Sequence, residues 1–420
     1  MTNRYVDARN GNDANDGLSW ANAKKTLAAL VSSAAGTDVL FCTGVFNEAV
    51  NVPIESKSLT FTAVGFAIMD GNSTLANAIT AGTTGNSAGI LTFNGFRFRN
   101  YTNAGFLMPS AGNSSSQRGI FNNCIFEDMP YGIFSNTNGY IYIVVTNCLF
   151  HHLTQAGAYN GGGTYGETAY AYNCTFSDNL YGMRGGGANS THLVRRCIFH
   201  DNTYHLYSYG YSASGTNDID FGAGKCAKSA VDKTSLSAWQ AAVPGMDLDS
   251  VSADPQFLDQ ARRVYMTKKT TPASISGQIL GAYSKFGEGC SENYNGAIWD
   301  AGVVSPASSV EQDVNGDWVL ATGYTEGSVE FELDLVTPQR IRKLLAIHDY
   351  ANLGGGAGGG PAGILDKDKS DTLPETWEYE VNVDPDGSGY LGYQDVNLFD
   401  DLNLYPVQKM KIRVTLRNDA

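Results

Sequence analysis

The chain has 420 residues, a formal net charge of −14 at pH 7, and only 17% charged residues against 42% hydrophobic. That acidity argues against phosphate-backbone binding, which needs a basic face, so nucleic acid is not an expected partner. The 23 tyrosines and 19 phenylalanines describe an ordered, β-rich protein rather than a disordered one, and no apolar run approaches the ~20 residues of a membrane span.

Met1 to Tyr5 lacks the apolar stretch of a secretory signal, so a protein whose natural start is Met1 is expected to be made in a cytosol. Residues 1–48 read as a lead and a capping helix. Ser19 is placed to cap a helix starting near Trp20, the Ala/Leu spacing through Val31 gives it one apolar face, and Gly36 ends it. Such a helix would plug the open end of a solenoid, which otherwise exposes strand edges. Asp13 and Asp16 sit among Asn and Gly and read as turns rather than as calcium ligands.

From Val50 short apolar strands alternate with Gly, Asn and Ser turns. Five near-repeats come next, at Asn94-Gly95-Phe96-Arg97-Phe98, Asn123-Cys124-Ile125-Phe126, Asn147-Cys148-Leu149-Phe150, Asn173-Cys174-Thr175-Phe176 and Arg196-Cys197-Ile198-Phe199. Their period is about one coil of a solenoid. Within each, the Cys (or Phe96) and the Phe are two apart and so face one side of a strand, the interior. Gly105, Gly132, Gly157 and Gly182 come six or seven residues after the Phe, with His205 in the last repeat. Those glycines are read as the turn. Coils stacked at ~4.8 Å bury a continuous column of Phe and Cys. The seven cysteines contain no Cys-x-x-Cys pair, so zinc and redox motifs are disfavoured. Disulfides between stacked neighbours are geometrically conceivable, but free buried thiols filling the core are the expectation. Gly161-Gly162-Gly163 and Gly185-Gly186-Gly187 lie one coil apart, as a repeated turn.

Two residues past each core Phe come Asn100, Asp128, His152, Asp178 and Asp201, one column if the register holds. Adjacent members would be ~5 Å apart and alternate ones ~10 Å. Asp178 and Asp201 then approach the carboxylate separation of retaining glycosidases, and Asp128 with Asp178 the wide limit of inverting ones. The stronger reading of the same column is structural: Asp178-Asn179 and Asp201-Asn202 are turn pairs that satisfy backbone groups. Five past the Phe come Tyr131, Tyr181 and Tyr204, with Gln155 interrupting. An outward aromatic file beside carboxylates suits sugar rings, though tyrosine is also common in strands. Arg184, just beyond, serves an acidic sugar or pairs with a neighbouring Asp. His151, His200 and His205 show no metal-ligand spacing, and no motif implies a cofactor.

The solenoid is placed over 49–289, and 290–420 reads as a separate β-domain. Val329 to Leu335 and Trp377 to Val381 alternate with period two, Pro338 marks a turn, and Lys409 to Leu416 closes the domain. Leu353 to Gly363 is a glycine-rich loop, and Asp384 to Gly389 lacks the downstream Glu of a calcium loop.

Tyr5-Val6-Asp7, Gly11-Asn12-Asp13, Asp16-Gly17-Leu18-Ser19-Trp20 and the run to Glu48 resemble the opening of pectin-lyase-like parallel β-helix proteins. Ser235 to Gln240, Asp254-Pro255-Gln256-Phe257 and Thr271 to Tyr283 resemble the excursion and closing coils of the same superfamily. The resemblance implies an all-β, right-handed parallel β-helix with an N-terminal capping helix. Residues 290–420 are similar to a terminal β-sandwich of jelly-roll, discoidin-like type. The calcium-and-arginine context of the pectate-lyase branch is absent. With the acidity and signal-less start, the chain resembles bacteriophage virion proteins: a tail spike or fibre, or a head decoration protein. That resemblance implies a homotrimer made in the host cytoplasm, contacting other virion proteins and host-surface glycan. A polysaccharide depolymerase using Asp178 and Asp201 with Arg184, and a bacterial surface adhesin, are the rival expectations. Asp128, His152, Tyr131, Tyr181 and Tyr204 are the expected ligand contacts.

Overall fold

The computed structural model describes residues 2–53, 57–82, 89–109, 116–135, 140–161, 168–186, 191–208, most of 210–260, and separate strands from 264 to 417. Two compact units are resolved: 1–258 with 265–296, and 259–264 with 297–420.

The first unit is a parallel β-helix. Each regular coil contributes three strands. The first strands include Ile90–Asn94, Ser116–Asn122, Tyr140–Thr146, Thr168–Tyr172 and Thr191–Arg195. The second are Arg97–Arg99, Ile125–Glu127, Leu149–His151, Thr175–Ser177 and Ile198–His200. The third are Ala104–Met108, Tyr131–Ser135, Ala156–Asn160, Tyr181–Gly185 and Tyr204–Ser208. First and second strands belong to one 15-stranded sheet, joined through the long strand Leu59–Asp70, and the third strands form a sheet of nine.

The register is the expected one. Phe98, Phe126, Phe150, Phe176 and Phe199 pair rung to rung, with ring centroids 4.8, 4.8, 4.8 and 4.9 Å apart and planes within 8° of parallel. Phe61, Phe93 and Phe121 make a second stack from the first strands. Each fully buried ring contributes roughly 1.5–3 kcal/mol. Cys124, Cys148, Cys174 and Cys197 stack beside them as free, buried thiols. They do more than fill space: the Cys174 Sγ accepts the Cys148 N–H, and the Cys197 Sγ accepts the Cys174 N–H, both at 3.4 Å. In the next coil the Asn217 carboxamide oxygen takes over, accepting the Cys197 N–H at 3.0 Å.

The corners are made differently from the expectation. Asn123, Asn147, Asn173 and Arg196, before the second strand, and Asn100, Asp128, His152, Asp178 and Asp201, after it, all have φ between 52° and 58°. These non-glycine residues are the left-handed turns; Asn and Asp tolerate that conformation best. Gly105, Gly132, Gly157 and Gly182 instead lie inside the third strands. They are glycine for want of room, since a Cβ on Gly157 would stand 2.8 Å from Phe176 Cδ1 of the following coil. The Phe column ends at Phe199, and there His205 replaces glycine.

At the N-terminus the helix is Leu27–Ser33, capped by the Thr26 hydroxyl rather than by Ser19, and it ends at Ala34 before Gly36. Glu48 also accepts the Leu27 and Ala28 N–H groups, and Leu27, Leu30 and Val31 are buried as the plug requires. The Asp13 carboxylate accepts the Lys25 and Thr26 N–H groups and the Thr26 hydroxyl. Toward the other end, the helix Leu236–Ala242 buries Trp239, whose Nε1 donates to Asp247.

In the second unit, Val303–Pro306, Glu326–Ile341, Leu404–Arg417, Glu378–Asp384 and Gln394–Val396 form a five-stranded antiparallel sheet in that order. Val310–Gln312 and Trp318–Leu320 form a hairpin. Val329, Phe331 and Leu333 pair with Val414, Ile412 and Met410, as alternation predicts. Pro338 lies within the strand Glu326–Ile341 at a register irregularity, not at a turn between strands. The sandwich closure, the 353–363 and 385–389 loops and the solenoid end near Gly289 lie outside the described residues.

Candidate functional site

Two neighbouring surfaces of the solenoid collect the functional side chains. The first runs along the corner after the second strand, where Asp128, His152, Asp178 and Asp201 occupy successive left-handed positions. Behind it runs a file, buried except at Arg99, that sequence reasoning missed. Registers of the second strands place Asp70, Arg99, Glu127, His151, Ser177 and His200 on consecutive rungs, with Asp220 one residue beyond the last pair, Phe199 with Ile219.

The two files bond to each other at every rung from His151 on. His151 Nδ1 lies 2.8 Å from His152 Nδ1, the Ser177 hydroxyl donates to Asp178 at 3.1 Å, and His200 Nε2 meets Asp201 at 3.1 Å. Glu127 holds His151 Nε2 at 3.0 Å and Arg97 Nε at 2.5 Å. Burial pushes the Glu127 carboxyl up, but the Arg97 charge and the His151 contact outweigh it and hold it well below the usual carboxylate range. His200 bridges two acids, since its Nδ1 meets Asp220 at 2.8 Å. Burial lowers its pKa; the Asp220 bond and the Asp201 charge outweigh that and raise it. Asp218, on the rung of Ile198, is buried, with Oδ1 accepting the Ala253 N–H and Oδ2 unbonded among the described residues. Burial pushes it up to about 8. The signal for this file was legible: the residue before each column member is polar in every coil from Glu127 to His200.

The second surface is the outer face of the third-strand sheet. Tyr131, Ala156, Tyr181, Tyr204 and Lys225 occupy one row, and Phe134, Tyr159, Arg184 and Tyr207 the next. Ala156, not Gln155, takes the gap, because the His152 coil carries one extra residue before its third strand. All of the aromatic members are half-buried. Their rings meet each other: Tyr131 with Phe134 at 4.5 Å, Phe134 with Tyr159 at 5.3 Å, Tyr181 with Tyr204 at 5.1 Å, and Tyr207 edge-on to both. The Arg184 guanidinium lies 4.8 Å from the Tyr181 ring centre, 5.1 Å from Tyr159 and 6.0 Å from Tyr207. Lys225 sits 4.6 Å over Tyr204 and donates to Asp232 at 2.6 Å.

Arg184 therefore belongs to the aromatic sheet, and no carboxylate of the described residues pairs with it. Its Nε is buried without a hydrogen-bond partner. Burial raises the Tyr131 pKa, and the Arg184 charge counters that. Gly186 borders the surface: a Cβ there would meet the Gly161 carbonyl oxygen at 2.4 Å and the Tyr159 hydroxyl at 2.8 Å.

No family model matches the sequence, and no curated protein matches it. Among solved structures, the native GH136 lacto-N-biosidase from Eubacterium ramulus is similar at 11% identity and a TM-score of 0.24, over 60% of this chain and 67% of that one. A likeness of that size transfers no activity. Among the described residues no group of three or more His, Cys, Asp or Glu is arranged to hold a metal ion, and no helix is long and apolar enough to cross a membrane.

Proposed function

We propose that this chain is a bacteriophage virion component, a tail spike or fibre or a head decoration protein, that contacts host-surface polysaccharide through the third-strand face. The observation carrying the reading is the continuous, half-buried surface of Tyr131, Phe134, Tyr159, Tyr181, Arg184, Tyr204 and Tyr207 on a rigid sheet. Its rows repeat at the strand spacing, so a chain-like ligand meets similar groups coil after coil. A preorganised sheet also loses little entropy on binding.

A homotrimer made in the host cytoplasm and built into the particle with other virion proteins is part of the proposal. Half-buried Ile120, Val144, Tyr170 and Leu193 form an outward row on the first-strand flank and support such packing. Native mass measurement reads three copies on this account and one if it is wrong.

The test of the main reading is binding of the purified protein to capsular and O-antigen polysaccharides, with Tyr181→Ala and Tyr204→Ala as variants. Binding weakened by both supports it, and binding indifferent to both removes it. A depolymerase is the second reading, favoured by the His200 bridge between Asp201 and Asp220. Reducing ends or unsaturated products that vanish in Asp178→Asn or Asp201→Asn would establish it.

A further inference from the structure

From the Arg184 geometry we infer that the third-strand face selects carboxylate-bearing glycans, uronic or sialic acid polymers, and that Arg184 is the residue that reads the carboxylate. This rests on the glycan-binding reading above and specifies its substrate class.

The argument starts from how the tyrosines use their faces. Tyr181 and Tyr204 stack on each other with planes 15° apart, Tyr131 and Phe134 stack with planes 12° apart, and the guanidinium lies over Tyr181 and Tyr159. Faces spent in this way are withheld from the apolar side of a sugar ring. The surface instead presents ring edges, phenol hydroxyls and the terminal N–H groups of one arginine, whose Nε is buried. Those groups hydrogen-bond; they do not provide a stacking floor.

Arginine in a protein is always charged, and a half-buried guanidinium ordinarily meets a carboxylate. Here the described residues supply none, although the chain carries 42 acidic residues against 28 basic ones. The aromatic rings fix the guanidinium's plane and balance its charge only weakly. The missing counterion is a planar anion, and a carboxylate matches the guanidinium fork with two parallel hydrogen bonds. Lys225 already has Asp232 at 2.6 Å, so it is a poorer reader of the same group. The −14 net charge disfavours long-range attraction of a polyanion, which places the selectivity in this short-range contact.

The experiment measures binding of the full chain to polygalacturonate, hyaluronan, alginate and polysialic acid, each beside its carboxyl-reduced polymer. The expected result is that at least one acidic polymer binds, with affinity falling on the order of tenfold on carboxyl reduction and by a similar factor in Arg184→Gln. Arg184→Lys keeps the charge without the fork and should fall between. Circular dichroism and thermal melting confirm that the variants fold. Fluorescence titration of the tyrosines adds a readout for Arg184→Gln, since loss of the charge raises the Tyr131 pKa whether or not ligand is present. Equal binding of an acidic polymer and its reduced form, or undiminished binding in Arg184→Gln, overturns the inference and leaves the glycan reading intact. Absence of binding to every polymer in both forms counts against both.

Discussion

Gly182 and Phe199 share one space: a Cβ on Gly182 would stand 2.9 Å from Phe199 Cδ1 and 2.6 Å from the His205 carbonyl oxygen. The same relationship joins Gly157 to Phe176 and Gly132 to Phe150. The glycine column is thus the imprint of the phenylalanine column one coil further on. Gly157→Ala should cost about 1–3 kcal/mol, the usual range for overpacking a filled core. Denaturant unfolding checks it. An unchanged midpoint would mean that the coils slide apart freely.

The left-handed corners give a prediction of the opposite sign. Arg196, with φ 55°, is exposed and stands in the column otherwise held by Asn123, Asn147 and Asn173, where the Asn173 amide donates to the Asn147 side chain. Arginine gains nothing in that conformation, whereas Asn tolerates it and extends the ladder. Arg196→Asn should therefore stabilise by roughly 0.5–1 kcal/mol. A melting temperature equal to or below that of the parent would show that the corner carries no strain.

These two columns mark how far the sequence could be read. The Phe and Cys register was legible because a two-residue spacing inside a repeated motif leaves one choice of interior side. The column of Asp128, His152, Asp178 and Asp201 was legible both as a column and, at Asp178-Asn179 and Asp201-Asn202, as turn pairs; what misled was the glycine column, since glycine is the obvious left-handed residue. The reason for Gly157 was hidden because it depends on a ring 19 residues away in sequence, brought close only by the stacking. Arg184 was expected near the acids, but a single strand places it on the next sheet, among Tyr159, Tyr181 and Tyr207. Cap choice at the N-terminus depended on Asp13 and Glu48, partners too distant in sequence for local pattern to favour Thr26 over Ser19.

Asp218 should make the solenoid pH-sensitive. Its carboxyl has an ordinary value of 3.8, which burial and the Asp220 charge push up to about 8 in the fold. The folded state therefore holds the proton more tightly than the unfolded one. Stability falls as pH rises from about 4 to about 8 and then levels. Asp218→Asn keeps an acceptor for the Ala253 N–H and removes the ionisation. Its melting temperature should match the parent near pH 4 and exceed it by on the order of 5 °C at pH 8. Parallel curves for the two proteins across that range would refute the account.

The His200 bridge contributes in a different window, and the sign is fixed by both partners. His200 has its pKa raised above 6.5, so its contribution is full below that value and is lost as pH rises through the folded value. Asp220 has its pKa lowered from 3.8, chiefly by the His200 hydrogen bond, so its contribution is present above that value and lost as pH falls through the folded one. The pair is strongest between 3.8 and 6.5. Measured in an Asp218→Asn background, to remove the neighbouring titration, Asp220→Asn should cost about 1 kcal/mol in that window, the scale of a partly screened charged hydrogen bond. The cost should shrink at pH 9 and at pH 2, giving a bell when the difference in unfolding free energy is plotted against pH. A flat difference would mean that His200 stays neutral, so that its single N–H donates to only one of Asp201 and Asp220, which would also remove the imidazolium from the depolymerase reading.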